Sequence, residues 1–437
     1  RASPILSLHS SCMWTANRAC RPVTDFSKVD KIGEGTYGSV YLARERQTGQ
    51  LVALKRAKLS SSGFEREGMP QTSVREVCLL RRLVHPNIIR LREVVVGSKV
   101  DSVFLVFDYC EHDLAKLLDS MPRPFALEEA KCLSAQLLCA VSHLHSCHLL
   151  HRDLKMSNLL LTAAGELKLC DFGLARAYDP PAGLYTPRVV TLWYRAPELL
   201  LGATEYGAPI DLWAVGCIIG ELLLHRPLMP ASTEIKQYEL MVDLLGTPTD
   251  RIWPGFSQLP FARTLARKVP VQPYNELETV FAKIRPLPTL LSFLNSLLTY
   301  DPKRRIDARS ALVHDWFNER PVATTPQRLA AARLPHPVAY EGAKTSRDAP
   351  KRRQAGGSRG ADACIGPRKG DRLTACAQEL FDEEEQVALP MRKVARREEP
   401  TTTSGTTSDP TALPQTLTSR IRIPSPSSIF ASATRQL

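Results

Sequence analysis

The sequence contains no long uninterrupted apolar run. The longest one, at residues 214–224, includes Glu221 and is much shorter than the roughly 20 residues that a membrane-spanning helix needs. We therefore expect no transmembrane segment and no membrane association.

Cysteine pairs that would indicate a metal or disulfide framework are also missing. The 437 residues include 11 cysteines, an odd number, with no CxxC pair and no Cys/His cluster at the spacing of a zinc site. This pattern favours a reducing, intracellular compartment.

Neither sign of charge dominates strongly. Lys and Arg number 57 against 45 Asp and Glu, and the parts of the chain before and from Glu319 share the net charge of +12 equally. No domain is strongly basic, so the charge does not argue for direct nucleic-acid binding.

With 43% hydrophobic and 23% charged residues, the composition excludes a wholly disordered or collagen-like chain. The length allows two or three globular units, or one two-lobed enzyme with tails.

The first quarter of the chain carries mostly strand signals. Residues 26–58 alternate apolar and turn residues around a turn at residues 47–50, which predicts antiparallel strands joined by hairpins. Residues 72–83 differ, because their apolar side chains have helical spacing and predict a single helix. The residues of this stripe are Val74, Val77, Cys78 and Leu80. Another strand pair is predicted at residues 94–96 and 103–107.

The following segment carries helical signals. Residues 125–146 place apolar side chains on one face, and residues 210–224 form a second helical segment. We therefore predict an α+β fold in which a small β-rich lobe with one helix precedes a larger, mainly helical lobe.

The two ends of the chain differ from this pattern. Residues 1–25 begin without Met and are rich in Ser and poor in acidic residues, which is compatible with a transit peptide or with a truncated or mis-started reading frame. We expect this extension to be disordered. Residues 318–437 are enriched in Pro, Arg, Ser and Thr and predict a mostly disordered tail.

A glycine-rich stretch precedes a lysine on the next predicted strand. Residues 33–40 follow the pattern GxGxxGxV, which dinucleotide-binding folds share in part. A dinucleotide-binding unit would continue directly into a helix, with an acidic residue about 20 positions later. Here a second strand follows and carries Lys55, where it would contact the α- and β-phosphates of a nucleotide. Alone, these elements are also compatible with a structural hairpin and a surface lysine.

A second motif brings three chemically different groups into one loop. Residues 151–158 read HRDLKMSN and supply the carboxylate of Asp153, the ammonium of Lys155 and the amide of Asn158. Phosphoryl transfer needs these three groups. A carboxylate orients the attacking hydroxyl, a cation stabilises the negative charge that develops on the phosphoryl group, and an amide oxygen binds Mg²⁺. Asp171, in the DFG at residues 171–173, adds a second metal ligand, and APE at residues 196–198 closes the segment. Five motifs in this order make coincidence negligible.

Residues 26–317 thus resemble a eukaryotic protein kinase. The resemblance implies a bilobal fold, with an N-lobe at residues 26–108, a C-lobe at residues 112–317 and ATP between them. It implies that Asp153 is the catalytic base, that Lys155 contacts the γ-phosphate, and that Asn158 and Asp171 bind Mg²⁺. It also pairs Glu76 with Lys55, the alternative being a solvated helix residue.

The resemblance also implies which residues surround the nucleotide. Phe107 is the bulky gatekeeper, backbone groups of Asp108 and Cys110 bind adenine, and Tyr109 lines the same side of the pocket. Cys170 faces the pocket as a small buried residue or, alternatively, a reactive thiol. The implied nucleotide-binding residues are Ile32, Gly33, Glu34, Gly35, Gly38, Val40, Ala53, Lys55, Glu76, Phe107, Asp108, Cys110, Asp113 and Leu160.

Further motifs resemble the cyclin-dependent kinases. These are PQTSVRE at residues 70–76, which is similar to the cyclin-contacting helix, VVTLWYRAPE at residues 189–198 and LGTP at residues 245–248. The motifs EHDL at residues 111–114 and MSN at residues 156–158 are most similar to those of the ten and eleven subgroups of the cyclin-dependent kinases. The sequence does not decide between these two subgroups. Gln71 departs from the usual aliphatic residue, which leaves the identity of the cyclin open.

The same resemblance implies regulatory sites. Thr186 lies where this family is phosphorylated, and a phosphate there would bring about −1.5 to −2 charges. The arginines that would converge on it are Arg75, Arg152 and Arg176. Thr36 and Tyr37 match inhibitory phosphorylation sites. The alternative for all three hydroxyl residues is an ordinary, unmodified loop residue.

Other residues imply substrate preference and structural support. Val189 and Val190 resemble the family's substrate-binding loop, which prefers proline directly after the target residue. Proline suits such a loop because it has no backbone N–H that would need an acceptor. Arg188 stands where several relatives carry an acidic residue that pairs with the equivalent of Arg195. Structural roles are expected for Asp211, for the ion pair of Glu198 with Arg305, and for the apolar column of Leu80, Leu91, His151 and Phe172.

We therefore predict a cyclin-dependent serine/threonine kinase that uses Mg²⁺ and ATP, binds a cyclin subunit and phosphorylates Ser/Thr-Pro sites. The alternative is a pseudokinase scaffold that binds a cyclin but transfers nothing, against which the complete set of catalytic residues argues. A dinucleotide-dependent oxidoreductase is disfavoured by the strand order and by Lys55. The basic cluster at residues 351–353 favours the nucleus over the cytoplasm, although such clusters are usually solvated segments.

Overall fold

The computed structural model describes residues 20–35, 38–57, 71–98, 102–178, 190–284 and 288–334. The predicted N-terminal extension lies almost entirely outside these residues. In the described ranges, no helix has both the length and the apolar character to cross a bilayer.

Five antiparallel strands form the sheet of the small lobe in the order β1-β2-β3-β5-β4. They are β1 (Phe26–Gly35), β2 (Gly38–Glu45), β3 (Leu51–Arg56), β4 (Leu91–Val96) and β5 (Val103–Asp108). The predicted hairpins are confirmed. Their register matters for the site, because Val40 pairs with Gly33 on one side and with Lys55 on the other. The hairpin therefore places Lys55 beside the glycine-rich turn.

One helix, α1 (Gln71–Leu80), accompanies the sheet as predicted, but the predicted buried face is wrong. Val74 is 43% exposed and Cys78 is also exposed, whereas Glu76 and Leu80 are buried. The inner face consists instead of Ser73, Glu76, Val77 and Leu80, which have the spacing i, i+3, i+4 and i+7. The ion pair of Glu76 with Lys55 inside the protein orients the helix. The apolar side chains of Val74 and Cys78 are therefore left on its outer face.

The large lobe is mainly helical. Its helices are α2 (Leu114–Ser120), α3 (Leu127–Ser146), α4 (Pro197–Leu200), α5 (Pro209–Leu224), α6 (Glu234–Leu245), α7 (Ala262–Ala266), α8 (Leu277–Phe281), α9 (Pro288–Leu297), α10 (Ala308–Leu312), α11 (Asp315–Asn318) and α12 (Pro326–Arg333). The two predicted helices correspond to α3 and α5. Helix α5 is buried along nearly its whole length, as expected for a helix that is apolar on all sides.

Five short strands follow the sheet of the small lobe and fix the loops that connect them. These strands are β6 (His112–Asp113), β7 (Leu149–Leu150), β8 (Leu159–Leu161), β9 (Leu167–Leu169) and β10 (Arg176–Ala177). They form one sheet of β6, β8 and β9 and one of β7 and β10. The HRDLKMSN loop lies between β7 and β8, so both of its ends are fixed by sheet hydrogen bonds. Together with the five-stranded lobe, this is the predicted α+β, bilobal architecture.

A C-terminal strap, residues 319–334, continues past the predicted domain boundary and packs on the large lobe. Lys131 is 0% exposed, and its Nζ donates to the carbonyl oxygens of Glu319 at 2.6 Å and Pro321 at 2.8 Å. Leu329 is fully buried, and Arg333 donates to both carboxylate oxygens of Glu129. Folded chain therefore extends to at least residue 334, and the rest of the predicted tail lies outside the described residues.

Gly165 shows how closely the strap approaches the β8–β9 turn. Its φ is +79°, and a Cβ at this position would lie 2.0 Å from the carbonyl oxygen of Pro326. Only glycine suits both the left-handed backbone and this contact.

We expect Lys131→Met to destabilise the protein, because it removes the ammonium that donates to two carbonyl groups of the strap. The free energy of unfolding should fall by about 1.5–3 kcal/mol, the usual contribution of a hydrogen bond that involves a charged group. Urea unfolding of the full chain measures this, with the exposed Lys303→Met as the matched control. Equal stability of the two variants would show that the ammonium does not hold the strap.

Candidate active site

A cavity of about 600 Å³ lies between the sheet of the small lobe and the loops of the large lobe. It is lined by all the predicted nucleotide-binding residues except Gly35, together with Lys155, Asn158 and Asp171. Gly35 pairs with Gly38 at the end of the β1–β2 hairpin. The volume is in the range of pockets that hold small molecules and cofactors.

Several lining residues were not among the predicted nucleotide contacts. They are Ile89, Glu111, Lys116 and Ser157. Ile89 reaches the cavity because its N–H donates to the carbonyl oxygen of Leu169 at 2.9 Å, a long-range contact that no local pattern reveals. Glu111 accepts a hydrogen bond from the N–H of Ala163 at 2.7 Å, so this carboxylate ties the cavity edge to the large lobe.

Lys55 lies between two carboxylates from distant parts of the chain. Its Nζ is 2.9 and 3.0 Å from the carboxylate oxygens of Glu76 and 3.2 Å from Oδ1 of Asp171. Burial alone would lower the pKa of Lys55, but the two carboxylates outweigh this effect and raise the pKa. The side chain is therefore a fixed cation in the cavity, and the expected Glu76 pairing is present.

The HRDLKMSN loop is held from beneath by Asp211, which lies on α5. Its carboxylate accepts hydrogen bonds from the backbone N–H groups of His151 and Arg152, each at 3.0 Å, and contacts Nε2 of His145 at 3.0 Å. Burial opposes the charge of Asp211, but these contacts outweigh it and lower the pKa. Arg152 has a φ of +65°, a conformation that a non-glycine residue keeps only where its surroundings hold it.

The carboxylate of Asp153 is 5% exposed as a residue and is oriented by several donors. Its Oδ2 accepts from Nζ of Lys155 at 2.7 Å and from Nδ2 of Asn158 at 3.2 Å. Its Oδ1 accepts from the hydroxyl of Thr191 at 2.9 Å. Lys155 also donates to this hydroxyl at 3.2 Å. Asp153, Lys155 and Thr191 therefore form one hydrogen-bonded group.

Thr191 was not predicted as a site residue, although it lies in the quoted VVTLWYRAPE motif. Its place is set by the 3-10 turn at Leu192–Tyr194, which follows it directly. Because the contact joins residues 38 positions apart, only the fold brings this hydroxyl to Asp153.

The two predicted metal ligands fit a hard cation such as Mg²⁺. The amide nitrogen of Asn158 is engaged by the backbone oxygen of Asp153 at 2.8 Å, which leaves its carbonyl oxygen for a cation. Asp171 supplies a carboxylate, and oxygen ligands are those that Mg²⁺ prefers. The described part of the chain contains no cluster of three or more His, Cys, Asp or Glu side chains arranged for a metal. The protein thus offers few ligands of its own, as is usual where Mg²⁺ also binds water and substrate phosphates.

Two of the predicted phosphate-binding arginines contact the chain just after Asp171. Arg75 donates to the carbonyl oxygen of Gly173 at 3.4 Å, and Nε of Arg152 donates to that of Leu174 at 2.9 Å. Arg176 follows on β10 and is exposed. The hydroxyl residues Thr36, Tyr37 and Thr186 lie outside the described residues, as do Arg188 and Val189.

The residues expected to have structural roles are buried. Arg305 donates to both carboxylate oxygens of Glu198, at 2.7 and 2.9 Å. His151 and Phe172, two members of the expected column, have ring centroids 5.0 Å apart. Cys170 lines the cavity, where burial raises the pKa of its thiol. This does not favour the reactive-thiol alternative, because the thiolate is the nucleophile.

Comparison with known proteins gives concordant matches. The family model for the protein kinase domain matches residues 26–317. The chain is 50% identical over 317 residues to cyclin-dependent kinase 10 of Homo sapiens, covering 72% of this chain and 86% of that protein. It is 48% identical over 316 residues to cyclin-dependent kinase 11B of Rattus norvegicus, covering 71% and 70%. It is 50% identical over 311 residues to cyclin-dependent kinase G-2 of Oryza sativa subsp. japonica, covering 70% and 43%.

We expect Thr191→Val to slow phosphoryl transfer while preserving nucleotide binding. The change removes only the hydroxyl that orients Asp153, and positioned acid–base groups contribute about 10²–10⁴-fold to rates, so kcat should fall roughly tenfold to hundredfold. Steady-state kinetics at saturating ATP measures this, with the exposed Thr264→Val as control. A kcat equal to that of the control would contradict the proposed orientation.

Proposed function

The chain belongs to the protein kinase family and within it to the cyclin-dependent kinases, and on this premise we propose a specific activity for it. It transfers the γ-phosphate of ATP, with Mg²⁺, to Ser or Thr residues that precede proline, after activation by a cyclin subunit. The observation that carries this proposal is the orientation of Asp153 by Lys155, Asn158 and Thr191 beside a cavity that also holds Lys55 and Asp171.

Asp153 acts as the base for the substrate hydroxyl. Its fixed carboxylate orients the hydroxyl and accepts its proton as the oxygen attacks phosphorus. Lys155, whose Nζ lies 2.7 Å from this carboxylate, remains close enough to contact the transferring phosphoryl group. Thr191 keeps both side chains in place through its hydroxyl.

The nucleotide lies in the 600 Å³ cavity. Lys55 contacts the α- and β-phosphates, and the pair with Glu76 prevents this long side chain from moving away. Asn158 and Asp171 would hold Mg²⁺, which when bound supplies positive charge to the phosphate oxygens. Backbone groups of Asp108 and Cys110 receive the adenine at the opposite end of the cavity.

The conformation of Val190 supports a preference for proline after the target residue. Val190 has a φ of +69°, and its carbonyl oxygen accepts hydrogen bonds from Nη2 of Arg195 at 3.2 Å and from Nε at 3.4 Å. This oxygen is therefore engaged within the protein and is poorly placed to accept an N–H from a substrate. Proline has no such N–H and loses nothing at this position.

The outer face of α1 supports a cyclin as the activating subunit. Val74 and Cys78 are exposed there, while Glu76 on the inner face contacts Lys55. A partner that covers these apolar side chains would fix the helix and with it the lysine in the cavity. The names of the relatives, all of which are cyclin-dependent kinases, support the same partner.

The scaffold alternative has no observation in its favour, because every predicted catalytic side chain is present and oriented. We further propose a nuclear location, which the basic cluster at residues 351–353 supports. Fluorescence microscopy of cells that carry the chain with and without this cluster tests the location independently of the activity.

We expect Asp153→Asn to reduce kcat for a Ser-Pro peptide at least a hundredfold, because the amide cannot accept the hydroxyl proton. The full chain is purified with its cyclin partner and assayed by phosphate incorporation. Asp243→Asn on the exposed face of α6 is the matched control. A pseudokinase would bind the cyclin but give equally low incorporation with wild type, Asp153→Asn and the control, and that result would refute the proposed activity.

We expect Thr186→Ala to leave the fold intact but to lower kcat/KM in the cyclin complex at least tenfold. A phosphate on Thr186 would bring a dianionic group to Arg75, Arg152 and Arg176, and the alanine variant cannot carry it. Mass spectrometry of the wild type establishes the phosphate, and circular dichroism compares the folds. An unchanged kcat/KM would show that activation does not use Thr186.

A further inference from the structure

The loop that would receive the substrate is attached to the region around the start of α6. Nη1 of Arg195 lies 2.7 Å from Oε1 of Glu234, the first residue of α6. The indole N–H of Trp193 donates to the carbonyl oxygen of Ala231 at 2.8 Å. The position of this loop therefore depends on residues far along the chain as well as on its own sequence.

Val190 needs this support because its backbone is unfavourable for its side chain. A β-branched residue with positive φ is strongly disfavoured, since its Cβ crowds the neighbouring carbonyl oxygen. The hydrogen bonds from Arg195 to the Val190 carbonyl oxygen oppose relaxation of this backbone, together with the N–H of Thr191 in the same peptide group, which donates to Oδ1 of Asp153 at 3.3 Å. Their strength depends on how firmly the guanidinium is held.

Glu234 is well placed to hold it. The Arg195 side chain is 13% exposed, whereas that of Glu234 is 53% exposed, so the carboxylate reaches a largely buried cation from the surface. Residue 188, two positions before Val190, is an arginine and cannot neutralise Arg195. Among the residues that the structure describes, Glu234 at the start of α6 supplies a negative charge to Arg195.

We infer that Glu234 is a specificity-determining positioning residue, which holds Arg195 so that the Val190 carbonyl stays turned away from the substrate and proline is enforced after the target residue. This inference rests on the proposed Ser/Thr-Pro preference. When the charge of Glu234 is lost, Arg195 becomes more mobile and Val190 can relax to negative φ. Its carbonyl oxygen can then accept the N–H of a residue other than proline.

Glu234→Gln tests the inference in the full chain bound to its cyclin. We compare kcat/KM for three peptides that differ only after the target serine, where they carry proline, alanine or N-methylalanine. The ratio of Ser-Pro to Ser-Ala should fall about tenfold, mainly because Ser-Ala improves. The ratio of Ser-Pro to the N-methyl peptide should stay within about twofold, because neither peptide has an N–H at that position.

Glu239→Gln is the matched control, because it removes the same charge from the same helix. Its carboxylate pairs with Lys236 at 3.0 Å and has no described contact with Arg195. Both ratios should equal those of the wild type. A merely structural role of Glu234 would lower all three rates together and leave the ratios unchanged.

The outcomes separate this inference from the proposed function. A wild type that prefers Ser-Pro, with the same preference in Glu234→Gln, overturns the role of Glu234 and leaves the proposed function standing. A wild type that phosphorylates both peptides equally overturns the proline preference and this inference with it. If Glu234→Gln is unstable, Glu234→Asp and Glu234→Ala are compared. The aspartate should retain more discrimination than the alanine, and equal loss in the two would overturn the role of the charge.

Discussion

The contact of Lys55 with Glu76 and Asp171 joins three parts of the molecule that are far apart in the sequence. It links the sheet of the small lobe, the helix beside that sheet and the loop that follows β9. A buried ammonium without partners would be strongly disfavoured, so the two carboxylates are required for the lysine to remain charged. Any shift of α1 therefore changes the charge balance inside the cavity.

Buried charges elsewhere serve to position loops. Asp211 fixes the backbone before Asp153, and the Glu198–Arg305 pair fixes the segment at residues 196–198. Such pairs add little to stability compared with apolar packing, but removing one partner is costly. Their value here is geometric, because they leave the catalytic loop with few alternative conformations. Lys131 positions the C-terminal strap in the same way, but its ammonium donates to backbone carbonyl oxygens instead of a carboxylate.

Local motifs predicted much of the site, because phosphoryl transfer needs particular groups at short spacings, as in residues 151–158. They predicted less where contacts join distant residues. Thr191 and Glu234 act on Asp153 and Arg195 only through the fold, and the strap lies within a segment whose composition predicts disorder. The buried face of α1 was misjudged for a related reason, since hydrophobic spacing identifies a buried face only when apolar contacts, and not an ion pair, orient the helix.

Phe107 limits the size of the cavity between the lobes. It is buried on β5, opposite Ala53 and Leu91, and forms part of the cavity wall. Because protein interiors are closely packed, a smaller residue here would leave a void in the wall instead of a closed surface. Such a void would join the cavity and extend it into the sheet of the small lobe. One side chain on β5 thus separates the ligand space from the interior of this lobe.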